Sequence, residues 1–161
     1  MLLRASTDYG LRTLLYLAER GCVCSSKEIS EKAGIPRDYL IQLAQQERQA
    51  GLIESRSGKN GGYIIAKPPA EITLLEVLNA INGDENSAAR TRRDTPENAP
   101  ALSNLFHVMD MVLSSYDAYL GSITLDMLMK CARDSVNAGH YLAECLNAAS
   151  QQLIHPARTS A

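Results

Sequence analysis

A run of polar side chains between Arg37 and Gln46 carries the hydrogen-bonding groups that can read the edges of DNA bases. The apolar residues of this run recur three and four positions apart after Ile35-Pro36, so we predict a helix from about Arg37 to Ala50. Gln can pair bidentately with adenine, Arg can bind guanine or phosphate, and Asp can accept from the cytosine amino group. We assign six residues of this helix to DNA contact: Arg37, Asp38, Tyr39, Gln42, Gln45 and Gln46.

A second set of polar residues follows, in a predicted β-hairpin. Leu52–Arg56 and Gly62–Ala66 alternate as short strands do, and the turn between them is rich in Gly and Asn. Such a tip can bring cations and backbone N–H groups to phosphates or to the minor groove. We assign to this contact Arg56, Ser57, Gly58, Lys59 and Asn60. Basic turns and Gln-rich helix faces are also common solvated surfaces, so the order of the elements must support the assignment.

The elements before these residues have the order of a winged helix-turn-helix. An amphipathic stripe predicts a helix from Thr7 to Glu19, with Thr7 as its cap, and a Ser25–Glu28 capping box predicts a second helix, Ser26–Ala33. In this motif the first helix of the pair crosses the DNA backbone and the second enters the major groove. We therefore add Ser26 and Lys27 to the DNA surface, and predict a mainly α fold with a small β-hairpin wing over residues 1–83.

The remainder of the chain is predicted to be helical and to form a dimer. A Thr73–Glu76 capping box begins a helix that ends at Gly83, and residues 84–100 have no apolar periodicity, which indicates a flexible loop. Residues 101–161 are then a dimerisation helix, Ala101–Leu120, ended by Gly121, and a helical tail in which Thr124 caps a further helix. The predicted dimer interface is Leu102, Leu105, Phe106, Met109, Val112, Leu113, Tyr116 and Leu120.

Charge is distributed unevenly along the chain. The net charge of the whole is -2, but residues 1–67 carry 10 Lys/Arg against 7 Asp/Glu, a net of +3. A basic head on an acidic body fits a nucleic-acid partner for the head alone. No apolar run or leader pattern indicates a membrane or export, so we expect a cytoplasmic protein, and no motif of an enzyme class stands out.

Three stretches of the chain carry a family resemblance: LLRASTDYGLRTLLYLA, IPRDYLIQLAQQERQAGLIESRSGKNGGYIIAK and ITLLEVLNAINGD. They resemble the regulator family that includes the iron–sulfur regulator IscR, the nitric-oxide sensor NsrR and the cysteine-metabolism regulator CymR. The resemblance is close over residues 1–83 and extends to the long helix in pattern only. It implies a homodimer with cross-paired long helices on a partly palindromic operator. It also implies base contacts from Asp38 and Gln42, wing-tip contacts from residues 57–59, and placement near the DNA backbone of Arg4, Ser6 and Tyr9.

The cysteines depart from the pattern of that family. Its cluster-binding members carry three cysteines before the long helix, whereas residues 84–101 contain none, so we predict no iron–sulfur cluster, no other cofactor and no metal. Asp8 matches a position that supplies a carboxylate ligand in the nitric-oxide sensor, but a charge at a helix N-terminus is the preferred interpretation. Cys22 and Cys24 could ligate a metal or form a redox pair, but two small buried thiols are the preferred interpretation. Cys131 and Cys145, with His140 between them, match no common zinc spacing and are interpreted as core.

These inferences predict a homodimeric, DNA-binding transcription regulator that acts as a repressor on a double-stranded operator. Its half-sites should lie about 34–36 Å apart. The signal is predicted to be an unidentified small molecule or a redox change, sensed without a cluster. The alternative is a protein-interaction module in which the winged domain binds a partner enzyme.

Overall fold

The computed structural model describes residues 4–83 and 100–154, with the backbone alone at 100–103 and 152–154. The N-terminal part contains α1, α2, α3 and the hairpin strands β1 and β2, followed by a 3-10 turn and α4. These elements span Ala5–Arg20, Ser26–Ala33, Arg37–Gln49, Ile53–Arg56, Gly62–Ile65, Pro69–Glu71 and Leu74–Asn82. The C-terminal part contains α5, α6 and α7, which span Pro100–Ser122, Leu125–Arg133 and Ala138–Ile154. The loop predicted for residues 84–100 lies, up to residue 99, outside the described residues.

The starts of α1 and α2 differ from the predicted capping, whereas the end of α2 has a glycine cap. The Ser25 hydroxyl accepts from the Glu28 amide at 3.2 Å, but the Glu28 carboxylate accepts from the Tyr16 hydroxyl at 2.9 Å rather than completing a capping box. The prediction that Thr7 caps α1 is wrong, because α1 begins at Ala5 and Thr7 is buried within its first turns. α2 ends at Gly34, whose φ of 66° is left-handed and favours glycine.

The wing is a two-stranded antiparallel hairpin, β1 and β2, joined by residues 57–61. Ile53 pairs with Ile65 and Arg56 with Gly62, and the Gly61 amide donates to the Gly58 carbonyl at 2.9 Å. A third segment joins the hairpin, since Cys24 and Tyr63 exchange two backbone hydrogen bonds, each 2.9 Å long. At Gly62 a Cβ would lie 2.0 Å from the Cys24 carbonyl oxygen, so this close approach requires glycine. The wing is thereby attached to the α1–α2 connection.

One apolar core unites α1 to α4 with the wing. Its fully buried large side chains include Leu14 and Leu17 of α1, Ile29 of α2, Leu40 of α3 and Ile53 of β1. Burying each such side chain contributes about 1.5–3 kcal/mol. This core holds the three helices of the predicted helix-turn-helix in a single arrangement, so the orientation of α3 is set by packing.

The C-terminal helices attach to this core through a short bridge. Thr73, which begins α4 with a complete capping box, pairs with Thr124, the N-cap of α6. The Leu74 amide donates to the Ile123 carbonyl and the Leu125 amide to the Ile72 carbonyl, both at 2.8 Å. The starts of α4 and α6 are therefore held side by side.

The long helix α5 packs along α7 and differs slightly from its prediction. Gly121 was expected to end it, but the helix continues through Gly121 to Ser122, whose hydroxyl donates to the Tyr119 carbonyl at 2.7 Å and lies 3.0 Å from the Cys145 carbonyl. The helix predicted around 140–148 extends over Ala138–Ile154. Among residues 4–83 and 100–154, no helix combines the length and apolarity needed to cross a bilayer.

Candidate nucleic-acid interface

The outward face of α3 carries every polar residue that was assigned to it. Leu40, Leu43 and Ala44 point into the core, which fixes the rotation of the helix about its axis. The exposed residues of the helix are Arg37, Asp38, Tyr39, Ile41, Gln42, Gln45 and Gln46, followed by Arg48 and Gln49 in its last turn. Amide, guanidinium and carboxylate groups are thus presented together on one rigid rod, as base reading requires.

Side chains from three helices meet at the N-terminal end of α3. The Arg37 Nε donates to the Ser26 hydroxyl of α2 at 3.3 Å. The Tyr39 ring lies edge-on to the Tyr9 ring of α1, with centroids 5.6 Å apart and an interplanar angle of 75°. The Arg12 guanidinium lies 5.8 Å from the Tyr9 centroid. Residues assigned from separate segments of the sequence therefore form one continuous surface.

Further residues assigned to the DNA surface lie at the starts of α1 and α2. Arg4 is exposed immediately before α1, and Ser6 is half-buried in its first turn. Lys27 is exposed in the first turn of α2, and its Nζ lies 4.0 Å from Glu31. An exposed ion pair of this kind contributes little stability, so the Lys27 ammonium is available to another anion.

The tip of the wing is exposed and carries one cation without an acidic partner. Ser57, Gly58, Lys59 and Asn60 are all exposed, and Lys59 pairs with no carboxylate of the described residues. Arg56 differs, since its guanidinium binds the Glu54 carboxylate at 2.8 Å on the same strand. The Arg48 guanidinium of α3 donates to the Ser55 hydroxyl of β1 at 3.4 Å, which links α3 to the wing.

Glu47 is a feature of α3 whose importance sequence reasoning missed. Its carboxylate is fully buried on the inward face, and neither oxygen has a hydrogen-bond partner within the described part of the chain. A Cβ on Gly10 of α1 would lie 3.1 Å from Glu47 Oε1 and against Ile81 of α4. Burial raises the pKa of Glu47 well above its usual value. The sequence signal was its place in the same stripe as Leu40 and Leu43.

The two cysteines of the possible redox pair have different environments. Cys22 is exposed, whereas Cys24 is fully buried where its backbone pairs with β2. Burial raises the pKa of the Cys24 thiol, although Arg20 acts in the opposite direction. A buried thiol with a raised pKa reacts slowly with oxidants. Cys22 is therefore the more accessible of the two.

The residues predicted to form the dimer interface divide between two faces of α5. Leu105, Met109 and Val112 are exposed, the last at 57%. Phe106, Leu113 and Tyr116 are half-buried, Leu120 is buried, and the side chain of Leu102 lies outside the described residues. Val108 and Met111, which were not assigned, are also exposed. Leu105, Val108, Met109 and Val112 recur at i, i+3, i+4 and i+7 and form a continuous apolar stripe.

Three features define the class of this protein: the second helix of a helix-turn-helix faces solvent, a basic wing lies beside it, and a set of C-terminal helices follows. This is a winged-helix DNA-binding transcription regulator. The family model for Rrf2, described as iron-dependent transcriptional regulators, matches residues 3–131, so the chain belongs to the Rrf2 family. The predicted family and winged-helix fold are confirmed.

Solved structures of regulators share this fold. IscR of T. potens is 28% identical, with a TM-score of 0.62 over 82% of this chain and 88% of its own. CymR (YrzC), the global cysteine regulator of B. subtilis, is 25% identical, with a TM-score of 0.59 over 81% and 97%. The oxidised form of S. aureus CymR is 28% identical, with a TM-score of 0.57 over 80% and 96%.

The family description raises the question of whether this chain can hold iron. The four cysteines of the sequence are Cys22, Cys24, Cys131 and Cys145, and residues 84–101 contain none. Within residues 4–83 and 100–154, no three His, Cys, Asp or Glu side chains are grouped as ligands. Asp8 is bound to Arg12 at 2.7 Å in an i,i+4 ion pair. Since an iron–sulfur cluster is held mainly by thiolates, the residues present do not fit one.

Proposed function

We propose that this chain is a homodimeric repressor that places α3 in the major groove of a partly palindromic operator. The observation that carries the proposal is the exposed polar face of α3, which is joined to α1 and α2 by the Tyr9–Tyr39 and Ser26–Arg37 contacts. The 13 residues of α3 span about 20 Å, enough to follow the groove across several base pairs.

The roles within α3 follow from the chemistry of each group. Gln42 can pair bidentately with adenine and Asp38 can accept from the cytosine amino group. Arg37 has a guanidinium that can bind guanine or phosphate, and its contact with Ser26 orients it toward the side of α2. The exposed Ile41 can contact a thymine methyl group.

The wing supplies the DNA contact that does not depend on the base sequence. The exposed Lys59 ammonium, together with backbone N–H groups of residues 57–60, is suited to phosphates or the minor groove. Arg56 is the weaker candidate of the two cations, because it must exchange its 2.8 Å contact with Glu54 for a phosphate, whereas Lys59 has no acidic partner among the described residues.

The exposed stripe of α5 supports dimerisation through that helix. Leu105, Val108, Met109 and Val112 lie on one face, and burying such a face against a second copy removes apolar area from water. Two heads held in this way read half-sites about 34–36 Å apart, and an occupied promoter is closed to polymerase.

A groove between the DNA-binding head (residues 4–83) and the C-terminal helices (residues 100–154) supports a small-molecule signal. It has a volume of about 230 Å³ and lies between α1 and α6, where it is lined by Leu15, Glu19, Met129, Ala132 and Arg133. Ligand pockets typically measure about 300–1,000 Å³, so only a small effector would fit. Cys22, which is exposed, is the accessible thiol for the alternative redox signal.

Titration of the purified protein onto the duplex DNA upstream of its own gene tests the function. We expect affinity for that DNA to exceed affinity for random duplex by at least about a thousandfold, and to fall steeply as salt rises, because bound phosphates release counterions. Equal affinity for both DNAs, or binding unchanged by salt, would contradict the proposal. In vitro transcription from the same promoter should decrease when the protein is added.

A further inference from the structure

Three sulfur-containing side chains lie at the contact between α6 and α7, away from the proposed DNA surface. Cys145 of α7 is 2% exposed, and its Sγ lies 3.5 Å from the Met127 Sδ of α6. Cys131 is one helical turn after Met127, and its Sγ lies 3.9 Å from the Ala138 carbonyl oxygen at the start of α7. Met127 and Cys131 therefore share the face of α6 that packs on α7.

Two further contacts define the surroundings of these side chains. The Cys145 thiol donates to the Tyr141 carbonyl at 3.3 Å in its own helix. The nearby imidazole is directed elsewhere, since His140 Nε2 lies 3.5 Å from Glu144 on the exposed side of α7. The three side chains therefore offer sulfur ligands, without the imidazole of His140.

We propose that Met127, Cys131 and Cys145 form a binding site for a soft monovalent metal ion of the Cu(I) class. Two sulfur ligands of one metal ion, each at about 2.3 Å, lie about 3.8 Å apart, close to the 3.5 Å between Cys145 and Met127. Thiolate and thioether ligands select Cu(I), whereas Zn²⁺ is bound by Cys, His and carboxylates.

The binding step requires no oxidant or reductant. Each of the two thiols releases its proton to the solvent as its sulfur coordinates the ion, and the ion and the sulfurs keep their oxidation states. Burial of Cys145 slows the oxidation of its thiol in the empty site. The thioether of Met127 needs no deprotonation.

Anaerobic competition between the reduced full-length protein and a chromogenic Cu(I) chelator tests the site. Cys22 and Cys24 form a C-x-C pair elsewhere in the chain, and the exposed Cys22 could bind Cu(I) as well. The titration therefore uses a Cys22→Ser background. We expect one tightly bound Cu(I) per chain in this background. Loss of all tight binding on removing Cys22 would overturn the proposal.

Three further substitutions in that background locate the ion. Cys131→Ser should weaken Cu(I) binding by more than about a hundredfold, because even a residue that merely orients a metal ligand contributes about ten- to hundredfold. Met127→Leu should weaken it by about tenfold. Met129→Leu is the matched control, since Met129 lines the groove toward α1 and should leave binding unchanged. Circular dichroism melts verify that each variant is folded.

Tight binding that survives both Cys131→Ser and Met127→Leu would overturn the proposal. The readout is metal uptake, so it is independent of DNA binding.

Discussion

At the scale of single residues, Gln42 and Lys59 lie on the two parts of the surface that should recognise DNA differently. Gln42 projects from the exposed face of α3, and Lys59 from the tip of the wing. A side chain that reads a base edge discriminates between sequences, whereas a cation on phosphate does not. The two residues therefore test separate parts of the proposed interface.

Gln42→Ala should weaken binding to the preferred operator by about 1–3 kcal/mol, because one bidentate base contact is lost. Binding to random duplex should be unchanged. Fluorescence anisotropy with both DNAs measures this difference. Gln49→Ala, an exposed position in the last turn of α3, is the control and should leave both affinities unaltered. An equal loss on both DNAs would mean that Gln42 does not read a base.

Lys59→Ala should weaken binding to operator and random DNA alike and reduce the slope of log affinity against log salt by about one. Lys130→Ala removes the same charge from an ion pair with Asp126 on α6 and serves as the control. Salt titrations of both variants provide the slopes. If Lys59→Ala leaves all binding untouched, the assignment of the wing is wrong.

At the scale of elements, α3 combines an exposed recognition face with a buried carboxyl on its back. Glu47 packs against Gly10 of α1 and Ile81 of α4, and burial is the sole cause of its raised pKa. A buried polar group without a partner costs about 1–3 kcal/mol. An apolar side chain at position 47 would therefore make the packing of α3 more stable than Glu47 does.

Glu47→Leu should raise the free energy of unfolding at neutral pH by about 1–3 kcal/mol. Below the usual carboxyl pKa of 4.5 both states of the wild type bind the proton, so the difference from the variant is smallest there. As pH rises above 4.5 the unfolded chain loses this proton while the folded chain keeps it. The stability of the wild type therefore falls until the raised pKa is passed.

Urea denaturation of both proteins across this pH range measures the difference between their free energies of unfolding. Glu54→Leu on β1 is the control, since Glu54 is exposed and should show no comparable trend. If the difference in the free energy of unfolding stays constant with pH, the carboxyl of Glu47 is solvated or paired.

At the scale of the whole molecule, the proposed dimer depends on the apolar stripe of α5. Val112→Glu introduces a charge at the C-terminal end of this stripe and should convert the proposed dimer to a monomer, because a buried unpaired charge is costly. Val136→Glu is a matched control, since Val136 is 91% exposed in the turn between α6 and α7. Sedimentation velocity should show a dimer for this control. A dimer in both variants would place the interface elsewhere.

Much of the DNA-binding head could be predicted from local chemistry. The Gly34-Ile35-Pro36 turn, the Ser25 and Thr73 caps and the Gly-rich hairpin each specify a structure within a few residues, and the helices and strands lie close to where they were expected. The start of α1 was misjudged because a threonine in a first turn can be either a cap or a core residue. Packing against the rest of the head decided that Thr7 is buried.

The sequence by itself determined the order of the elements and the polar face of α3, because periodicity and turn chemistry are local properties. Only the tertiary structure showed that Cys24 pairs with Tyr63, that Glu47 is enclosed without a partner, and that the predicted stripe of α5 divides into a packed and an exposed face. These features depend on contacts between segments far apart in the chain. A stripe of apolar residues predicts burial but does not reveal which neighbour provides it.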